Sequence, residues 1–271
     1  MDLRYNNDVY RSAYHSAYNN DNDMKKQTPE NCLNAIKQNG DALKYVKEQT
    51  LEICMAALKQ NGFLLRHVKE QTPEICLVAV NNSDGHALQY VKEQTHEICM
   101  AAVKINGFAL LYVKDKTPEI CLAAVKENGV VLKHVEDQTP EICLAAVNEN
   151  IRALEYVNEQ TPDICMAAVK QGGIVLQYVK EQTPEMCLAA VNQYGYALEY
   201  VNEQTPEICL AAVKNRGDAL QFVNEQTPEI CLAAVNEYCM ALQYVKEQTP
   251  EICLAAIKQD GEALPYERTN P

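Results

Sequence analysis

Cysteine is the residue whose abundance first suggests chemistry in this chain. The 271 residues include 12 cysteines. Eleven recur at steps of 22 or 23 residues, at Cys32, Cys54, Cys76, Cys99, Cys121, Cys143, Cys165, Cys187, Cys209, Cys231 and Cys253. A zinc site needs thiolates at short spacing, as in C-x-x-C, and a disulfide needs Cα atoms within about 7 Å. One cysteine per repeat meets neither requirement, so we interpret the column as small core residues in a reducing compartment.

The other residues that could do chemistry are scattered. None of the five histidines (His15, His67, His86, His96 and His134) has a second histidine or a cysteine at ligand spacing. No Gly-rich phosphate loop, H-E-x-x-H motif or serine nucleophile elbow is present. Cys239 lies outside the column, and a reactive thiol at this position is an alternative that the sequence leaves open. We therefore predict a protein without catalytic residues, metal or cofactor, which is not an enzyme.

The cysteines mark a longer repeat, T-P-E-I-C-L-A-A-V-K-x-x-G-x-A-L-x-Y-V-K-E-Q. Self-similarity at a short fixed period is the mark of a solenoid. The predicted fold is all-α, an α-solenoid of eleven 22-residue helix-turn-helix repeats with end caps, over residues 27–264. Residues 1–26, with a short helix over 8–18, would form a Tyr-rich capping or docking segment, and 265–271 a C-terminal cap or tail. The repeat begins at Thr28, Thr50, Thr72, Thr95, Thr117, Thr139, Thr161, Thr183, Thr205, Thr227 and Thr249.

Local signals define two helices in each repeat. Threonine is a good N-cap, and the proline that follows it in most repeats suits the first helical position. The recurrent glycine suits a left-handed helix stop, and Ile151 and Cys239, which replace it, should cause local strain. A second, shorter helix of the form A-L-x-Y follows. The one extra residue of the chain falls in Asn82–Gly85, which we predict to be a polar turn.

The formal net charge of −13 limits the classes of partner that the protein can bind. Nucleic-acid binding depends on Lys and Arg displacing counterions, so a nucleic-acid partner is unlikely on this composition. No segment has the roughly 18 apolar residues that span a bilayer, and the N-terminus has no secretory pattern. We therefore predict an intracellular, cytoplasmic protein without a membrane partner. The carboxylate in each first helical turn pairs with the helix dipole; attraction of a basic partner is the alternative.

The segment Y-V-K-E-Q-T-P-E-I-C-L-A-A-V-K-Q-N-G resembles the repeats of a domain-of-unknown-function family, DUF4116. The resemblance covers about residues 26–264. Repeats of this family are abundant in giant viruses of amoebae and occur in some microbial proteins. The resemblance implies a repeat fold and a giant-virus source, with the host cytoplasm or the virion as the location. It implies no activity and no catalytic residues.

Two columns of the second helix could form a binding surface. The position after the glycine varies in size and charge, whereas most positions recur almost unchanged. Four residues later comes an aromatic column of Tyr, His or Phe. Because residues four apart lie on the same helix face, the two columns should form an aromatic and apolar ridge along the second helices. The residues that we predict to bind a partner are Phe63, His67, Phe108, Tyr112, Val130, His134, Ile174, Tyr178, Tyr196, Tyr200, Met240 and Tyr244.

Aromatic side chains concentrate in the centres of protein interfaces. We therefore expect a scaffold that binds a polypeptide along this ridge. The same rings could instead only cover the seams between repeats. Two other functions remain open on the sequence: a self-assembling rod, fibre or particle component, and, less favoured, a nucleic-acid-binding repeat protein.

Overall fold

A computed structural model describes residues 27–259, which belong to two compact units divided between Lys116 and Thr117. Each unit is a succession of α-helices (α) alternating with 3-10 helices (η), and no strand occurs among the described residues. The predicted all-α repeat fold is therefore confirmed. The predicted end segments 1–26 and 265–271, with the helix over 8–18, lie outside the described residues.

The first unit contains four repeats of the α–η pair. Its elements are α1 (Pro29–Gln38), η1 (Gly40–Tyr45), α2 (Leu51–Gln60), η2 (Gly62–His67), α3 (Pro73–Asn81), η3 (His86–Tyr90), α4 (His96–Ile105) and η4 (Gly107–Tyr112).

The second unit contains repeats 5 to 11. Its elements are α5 (Pro118–Glu127), η5 (Gly129–His134), α6 (Pro140–Glu149), η6 (Ile151–Tyr156), α7 (Pro162–Gln171), η7 (Gly173–Tyr178), α8 (Pro184–Gln193), η8 (Gly195–Tyr200), α9 (Pro206–Asn215), η9 (Gly217–Phe222), α10 (Pro228–Glu237), η10 (Cys239–Tyr244) and α11 (Pro250–Gln259).

The α-helices begin as predicted, on a threonine cap. In α7 the Thr161 hydroxyl oxygen accepts a hydrogen bond from the Ile164 backbone N–H at 3.4 Å. The cap also forms before Leu51, where the proline is missing, since Thr50 accepts from Ile53 at 3.4 Å. The threonine therefore sets the start of the helix, and proline at the next position only reinforces it.

The core of each repeat lies between its α-helix and its η-helix. In repeat 7, Ile164, Cys165, Ala168 and Val169 of α7 are buried together with Leu176 of η7. Full burial of one such leucine stabilises the fold by about 1.5–3 kcal/mol. All eleven cysteines of the repeat column are buried, which confirms their predicted place in the core.

The second helix is a 3-10 helix, and its glycine has another role than the one predicted. The residue before the glycine is extended, and where it is asparagine its side chain usually caps the η-helix: Asn106 Oδ1 accepts from the Phe108 N–H at 2.9 Å. Among the described glycines only Gly85 has a positive φ, of 76°. The predicted left-handed helix stop is therefore wrong for the repeat and holds only in the polar turn at Asn82–Gly85.

Glycine is required because successive repeats approach closely. A Cβ atom built on Gly173 would lie 2.4 Å from the Ala190 carbonyl oxygen of the next repeat, and one on Gly62 would lie 2.0 Å from that of Ala79. Ile151 occupies the same position without a positive φ. Its Cδ1 atom lies 3.0 Å from where a Cβ of Gly172 would be, and Gly172 stands where the preceding repeat has Asn150. The strain expected at Ile151 from a left-handed backbone is therefore not found, because its φ is not positive.

In most repeats one glutamine connects the ends of two consecutive η-helices; at the end of repeat 4 the equivalent residue is Lys116. Gln160 Nε2 donates to the Tyr178 carbonyl at 2.8 Å, and its Oε1 accepts from the Lys180 N–H at 2.9 Å. We call this pair of bonds the glutamine bridge. It satisfies a carbonyl at the end of a 3-10 helix and an N–H in the following turn, which have no partner within their own repeat. The bridge is made by Gln27, Gln49, Gln71 and Gln94 in the first unit and by Gln138, Gln160, Gln182, Gln204 and Gln226 in the second.

Two further side chains support the bridge. A cysteine thiol approaches the glutamine oxygen, as Cys187 Sγ does at 3.6 Å from Gln182 Oε1. Where a lysine follows the η-helix, its ammonium group reaches the equivalent carbonyl of the preceding repeat: Lys69 Nζ donates to the Lys47 carbonyl at 2.6 Å. The cysteine column therefore contributes a weak hydrogen bond as well as core volume.

Replacing a bridging glutamine should destabilise the fold strongly. Gln182→Ala removes bonds to the Tyr200 carbonyl and the Asn202 N–H, and we expect a loss of about 2 kcal/mol because both backbone groups lose their partner. The matched control is Gln177→Ala, since exposed Gln177 donates only within its own η-helix, to Ile174; its effect should stay within about 0.5 kcal/mol. Urea unfolding measures both, and equal effects would contradict the role of the bridge.

Two adjacent glycines provide a second test. Gly173→Ala should destabilise the fold by about 1–3 kcal/mol, because its Cβ meets the Ala190 backbone carbonyl. Gly172→Ala should be nearly neutral, because the atom it meets is the end of the Ile151 side chain, which can rotate away. Thermal unfolding of the two variants distinguishes them, and a larger loss for Gly172→Ala would refute this account of the contact between repeats.

Candidate interaction surface

The η-helices place the two predicted columns at the surface of each unit. The third and fourth residues of most η-helices are buried, as Ala197 and Leu198 are in η8. The first column and the aromatic column lie outside this buried pair. Eleven of the twelve predicted binding residues are half-buried, and Ile174 is exposed. The side chains therefore offer part of their surface to a partner and use the rest for contacts between repeats.

In the first unit the two columns contact each other across repeats. The Phe63 ring lies 6.4 Å from the Tyr90 ring in an edge-on arrangement and 6.5 Å from the His86 ring. The His86 ring in turn lies 5.9 Å from the Tyr112 ring of the next repeat. The sequence argument placed both columns on one face of a helix, which is wrong for a 3-10 helix, where residues four apart are offset by about a third of a turn. The ridge instead forms by contacts between consecutive repeats.

In the second unit the ridge includes a cluster around Tyr196. Its ring makes edge-on contacts with Phe222 of the next repeat at 5.6 Å and with Tyr194 at 5.4 Å. The Arg216 guanidinium lies 4.3 Å from the centre of the Tyr196 ring. The Tyr196 hydroxyl donates to Asp218, which also pairs with Arg216 at 3.1 Å. Rings, cation and carboxylate therefore hold one another in place.

The electrostatics of this cluster favour a charged Asp218. Partial burial alone would raise the pKa of the Asp218 carboxyl, but hydrogen bonds from Arg216 and Tyr196 hold it below its ordinary value. The hydrogen bond to Asp218 raises the pKa of the Tyr196 hydroxyl, and the nearby Glu199 carboxylate raises that of Tyr200. Both phenols are therefore neutral donors at physiological pH.

His67, one of the predicted binding residues, is held neutral. Its pKa is lowered by desolvation and then by the positive charges of Arg66 and Lys44. The Arg66 Nε–H donates to His67 Nε2 at 3.1 Å, which requires an unprotonated acceptor nitrogen. The ring therefore belongs to the ridge as an aromatic side chain without positive charge.

The sequence analysis missed a third column, the residue before each glycine. It is an asparagine that caps the η-helix in repeats 1, 2, 4, 5 and 6. In repeats 8, 9 and 10 it is Tyr194, Arg216 and Tyr238, and no side chain caps the helix there. The signal was visible in the sequence as a change from Asn to large side chains, but its meaning depends on the cap.

The α-helices carry a different concave feature. A groove of about 710 Å³ lies between α8 and α9, with Leu188, Leu210 and Ala211 along it and Glu207 and Lys214 also lining it. These residues offer apolar surface and two opposite charges. The described part of the chain contains no group of three or more His, Cys, Asp or Glu side chains arranged to hold a metal ion. None of the described helices has the length and apolar character needed to cross a membrane.

The comparisons with known proteins identify the repeat. A family model described as "Domain of unknown function (DUF4116)" matches residues 29–72, 95–139, 161–205, 183–226 and 227–267. No curated protein and no solved structure matches the chain significantly.

The thiols should differ sharply in reactivity. All twelve cysteines lie in the described part of the chain, and none forms a disulfide there; Cys239 is half-buried and the eleven of the column are buried. Burial raises the pKa of column thiols such as Cys165 and Cys209, so little reactive thiolate forms at pH 8. We expect Cys239 to react with an aromatic disulfide reagent about tenfold or more faster than the column, a phase that Cys239→Ser removes. A column cysteine that reacts as fast in the folded protein, mapped by mass spectrometry, would contradict the burial argument.

Proposed function

The chain belongs to the DUF4116 family, a family without a known function, and we propose that it is a non-catalytic scaffold that binds a polypeptide along the η-helix ridge. The ridge consists of the twelve predicted residues from Phe63 to Tyr244. The observation that carries the proposal is the contrast within each repeat. Positions that pack the repeat recur almost unchanged, whereas the variable column, the second residue of most η-helices, is half-buried or exposed.

The composition of the ridge supports a protein partner. Phe63, Phe108 and Tyr196 stand in the variable column beside the aromatic column, and large rings with few rotatable bonds bind at a low cost in side-chain entropy. Such residues are enriched where a few contacts carry most of the binding energy. Ile174, exposed by 44%, adds an aliphatic anchor in repeat 7.

The backbone beneath the ridge supports the same proposal. Most η-helices are fixed at their ends by a glutamine bridge, as η8 is by Gln182. A surface that is already ordered before binding loses little conformational entropy when the partner arrives. A rigid repeat with variable outward side chains is therefore suited to recognition.

The negative net charge of the chain favours a neutral or basic polypeptide as the partner. The net charge of −13 repels the phosphates of nucleic acids and anionic membranes. The exposed first-turn carboxylates, such as Glu185, Glu207 and Glu229, recur once per repeat and favour cationic partners. We place this binding inside the cell, in the host cytoplasm or virion if the gene is viral.

The test replaces four ridge residues together, Phe63, Phe108, Ile174 and Tyr196, each by serine. The native partner is first isolated with nuclease-treated bait and then purified, so that its affinity can be measured directly. We expect a loss of affinity of about tenfold or more with helicity largely retained, because the anchors are removed and the buried core of each repeat is kept. The matched control is Leu111→Ser, an equally exposed apolar residue (48%) on η4 outside both columns.

Three outcomes would refute the proposal. Unchanged affinity with a lower melting temperature would show that the ridge is only core. Recovery of the bait alone, in large assemblies, would favour a self-assembling structural protein. Binding that depends strongly on salt and is lost after nuclease treatment would favour a nucleic-acid partner.

A further inference from the structure

In three consecutive repeats a large side chain stands where other repeats have a capping asparagine. In repeats 5 and 6, Asn128 and Asn150 cap the next η-helix through their side chains. Tyr194, Arg216 and Tyr238 keep the same extended backbone, with φ of −148°, −149° and −148°, but cap nothing. Because the backbone is unchanged, the large side chains are not needed to shape the turn. Tyr194 and Arg216 make contacts around Tyr196 instead of the asparagine cap, and part of each side chain stays exposed.

The three side chains are exposed in consecutive repeats. Tyr194 is exposed by 37% and Tyr238 by 45%, and the Arg216 side chain between them by 47%. Tyrosine and arginine are the residues that dominate binding energy at protein interfaces. Two tyrosine rings, one repeat on either side of an arginine, therefore form a compact recognition surface.

The cluster contains an example of what such a ring can bind. The Arg216 guanidinium stacks on the Tyr196 ring at 4.3 Å, and the Asp218 carboxylate accepts from its Nε and from one terminal nitrogen at 3.2 and 3.1 Å. This is a planar cation on an aromatic face with a carboxylate at its edge. Arg216 already satisfies the pair of Tyr196 and Asp218, whereas the rings of Tyr194 and Tyr238 remain exposed.

Glutamates occur in the same repeats as the two exposed rings. In repeat 8, Glu199 raises the pKa of the Tyr200 hydroxyl, and Tyr194 makes a smaller contribution to the same shift. Glu237, which precedes Tyr238, is exposed. Since Asp218 and Arg216 neutralise each other, the surface as a whole attracts cations.

We propose that Tyr194 and Tyr238 each stack on an arginine side chain of one extended, basic polypeptide segment that crosses repeat 9. The inference rests on the proposed scaffold function, for which it gives the chemistry of the partner. Helices pack about 8–10 Å apart, so the two tyrosines stand about 16–20 Å apart. An extended chain covers this distance in about five or six residues. The partner therefore carries arginines at that spacing.

Arginine fits the surface better than lysine does. The guanidinium is planar and weakly hydrated, so it stacks on a ring while its edge still reaches a carboxylate. A lysine ammonium is more strongly hydrated and gains mainly from the net charge. The Arg216 arrangement therefore predicts a preference between two peptides of equal charge.

The test uses the full chain and two synthetic fluorescein-labelled peptides of 15 residues. One contains two pairs of arginines in a glycine–serine background, with the pairs centred six residues apart, and the other has lysine in their place. We expect the arginine peptide to bind about fivefold or more tightly than the lysine peptide in fluorescence anisotropy. The double variant Tyr194→Asn/Tyr238→Asn should weaken arginine-peptide binding about tenfold and leave lysine-peptide binding unchanged.

The same variant separates binding from stability. Asparagine is the capping residue of the other repeats, so the melting temperature should stay equal or rise. Leu111→Ser in the first unit is the control and should change neither measurement. If the double variant does not fold, Tyr238→Asn alone should still weaken the arginine peptide about threefold.

Equal affinities for the two peptides, or undiminished arginine-peptide binding by the variant, would overturn the inference and leave only attraction by net charge. Tighter binding of a fluorescein-labelled 15-nucleotide oligouridine than of the arginine peptide would also overturn it. The inference fails without the scaffold proposal if the arginine peptide does not bind to the protein while the four-residue ridge variant still loses affinity for the native partner. If that ridge variant keeps its partner, the scaffold proposal itself has failed.

Discussion

A glutamine side chain in most repeats solves the main problem of this fold, which is how to end a 3-10 helix without leaving its backbone groups unpaired. The Gln160 amide serves a carbonyl at the end of η7 and an N–H in the turn after it. Because both partners are backbone groups, the bridge fixes the main chain whatever side chains the η-helix carries. The position of that helix then determines how closely its glycine approaches the next repeat, as Gly173 does at the Ala190 carbonyl.

Because other residues fix the backbone and fill the core, the outward side chains of the η-helix can vary. The buried alanine and leucine pack the repeat and the glutamine satisfies the backbone. The second residue of the η-helix can therefore be Phe63, Arg152, Ile174 or Asp218 without a change of helix type. Stability and recognition therefore rest on different residues. The cap position shows the same separation, since Tyr194 replaces an asparagine with the backbone unchanged.

The parts of the fold that could be predicted from the sequence are those whose cause lies within a few residues. The threonine cap, the buried cysteine and the turn at Asn82–Gly85 are of this kind. The glycine was misinterpreted because the atom it must avoid, such as the Ala190 carbonyl, belongs to another repeat. The glutamine bridge was missed because its partners are backbone groups 18 and 20 residues away, which no side chain identifies. The two ridge columns were visible as variation, but their contacts were assigned to one helix where the structure places them between repeats.

The contact of Ile151 with Gly172 has a consequence for how such a gene can change. Near-identical tandem repeats invite unequal recombination, which adds or removes whole units, and most junctions of this chain present a glycine to the following repeat. Repeat 6 instead presents Ile151, which is accommodated by the space above Gly172. A deletion of repeat 7 would join Ile151 to repeat 8, where Tyr194 fills that space. We therefore expect repeats 6 and 7 to be gained or lost together, whereas units joined by glycine can be exchanged one at a time.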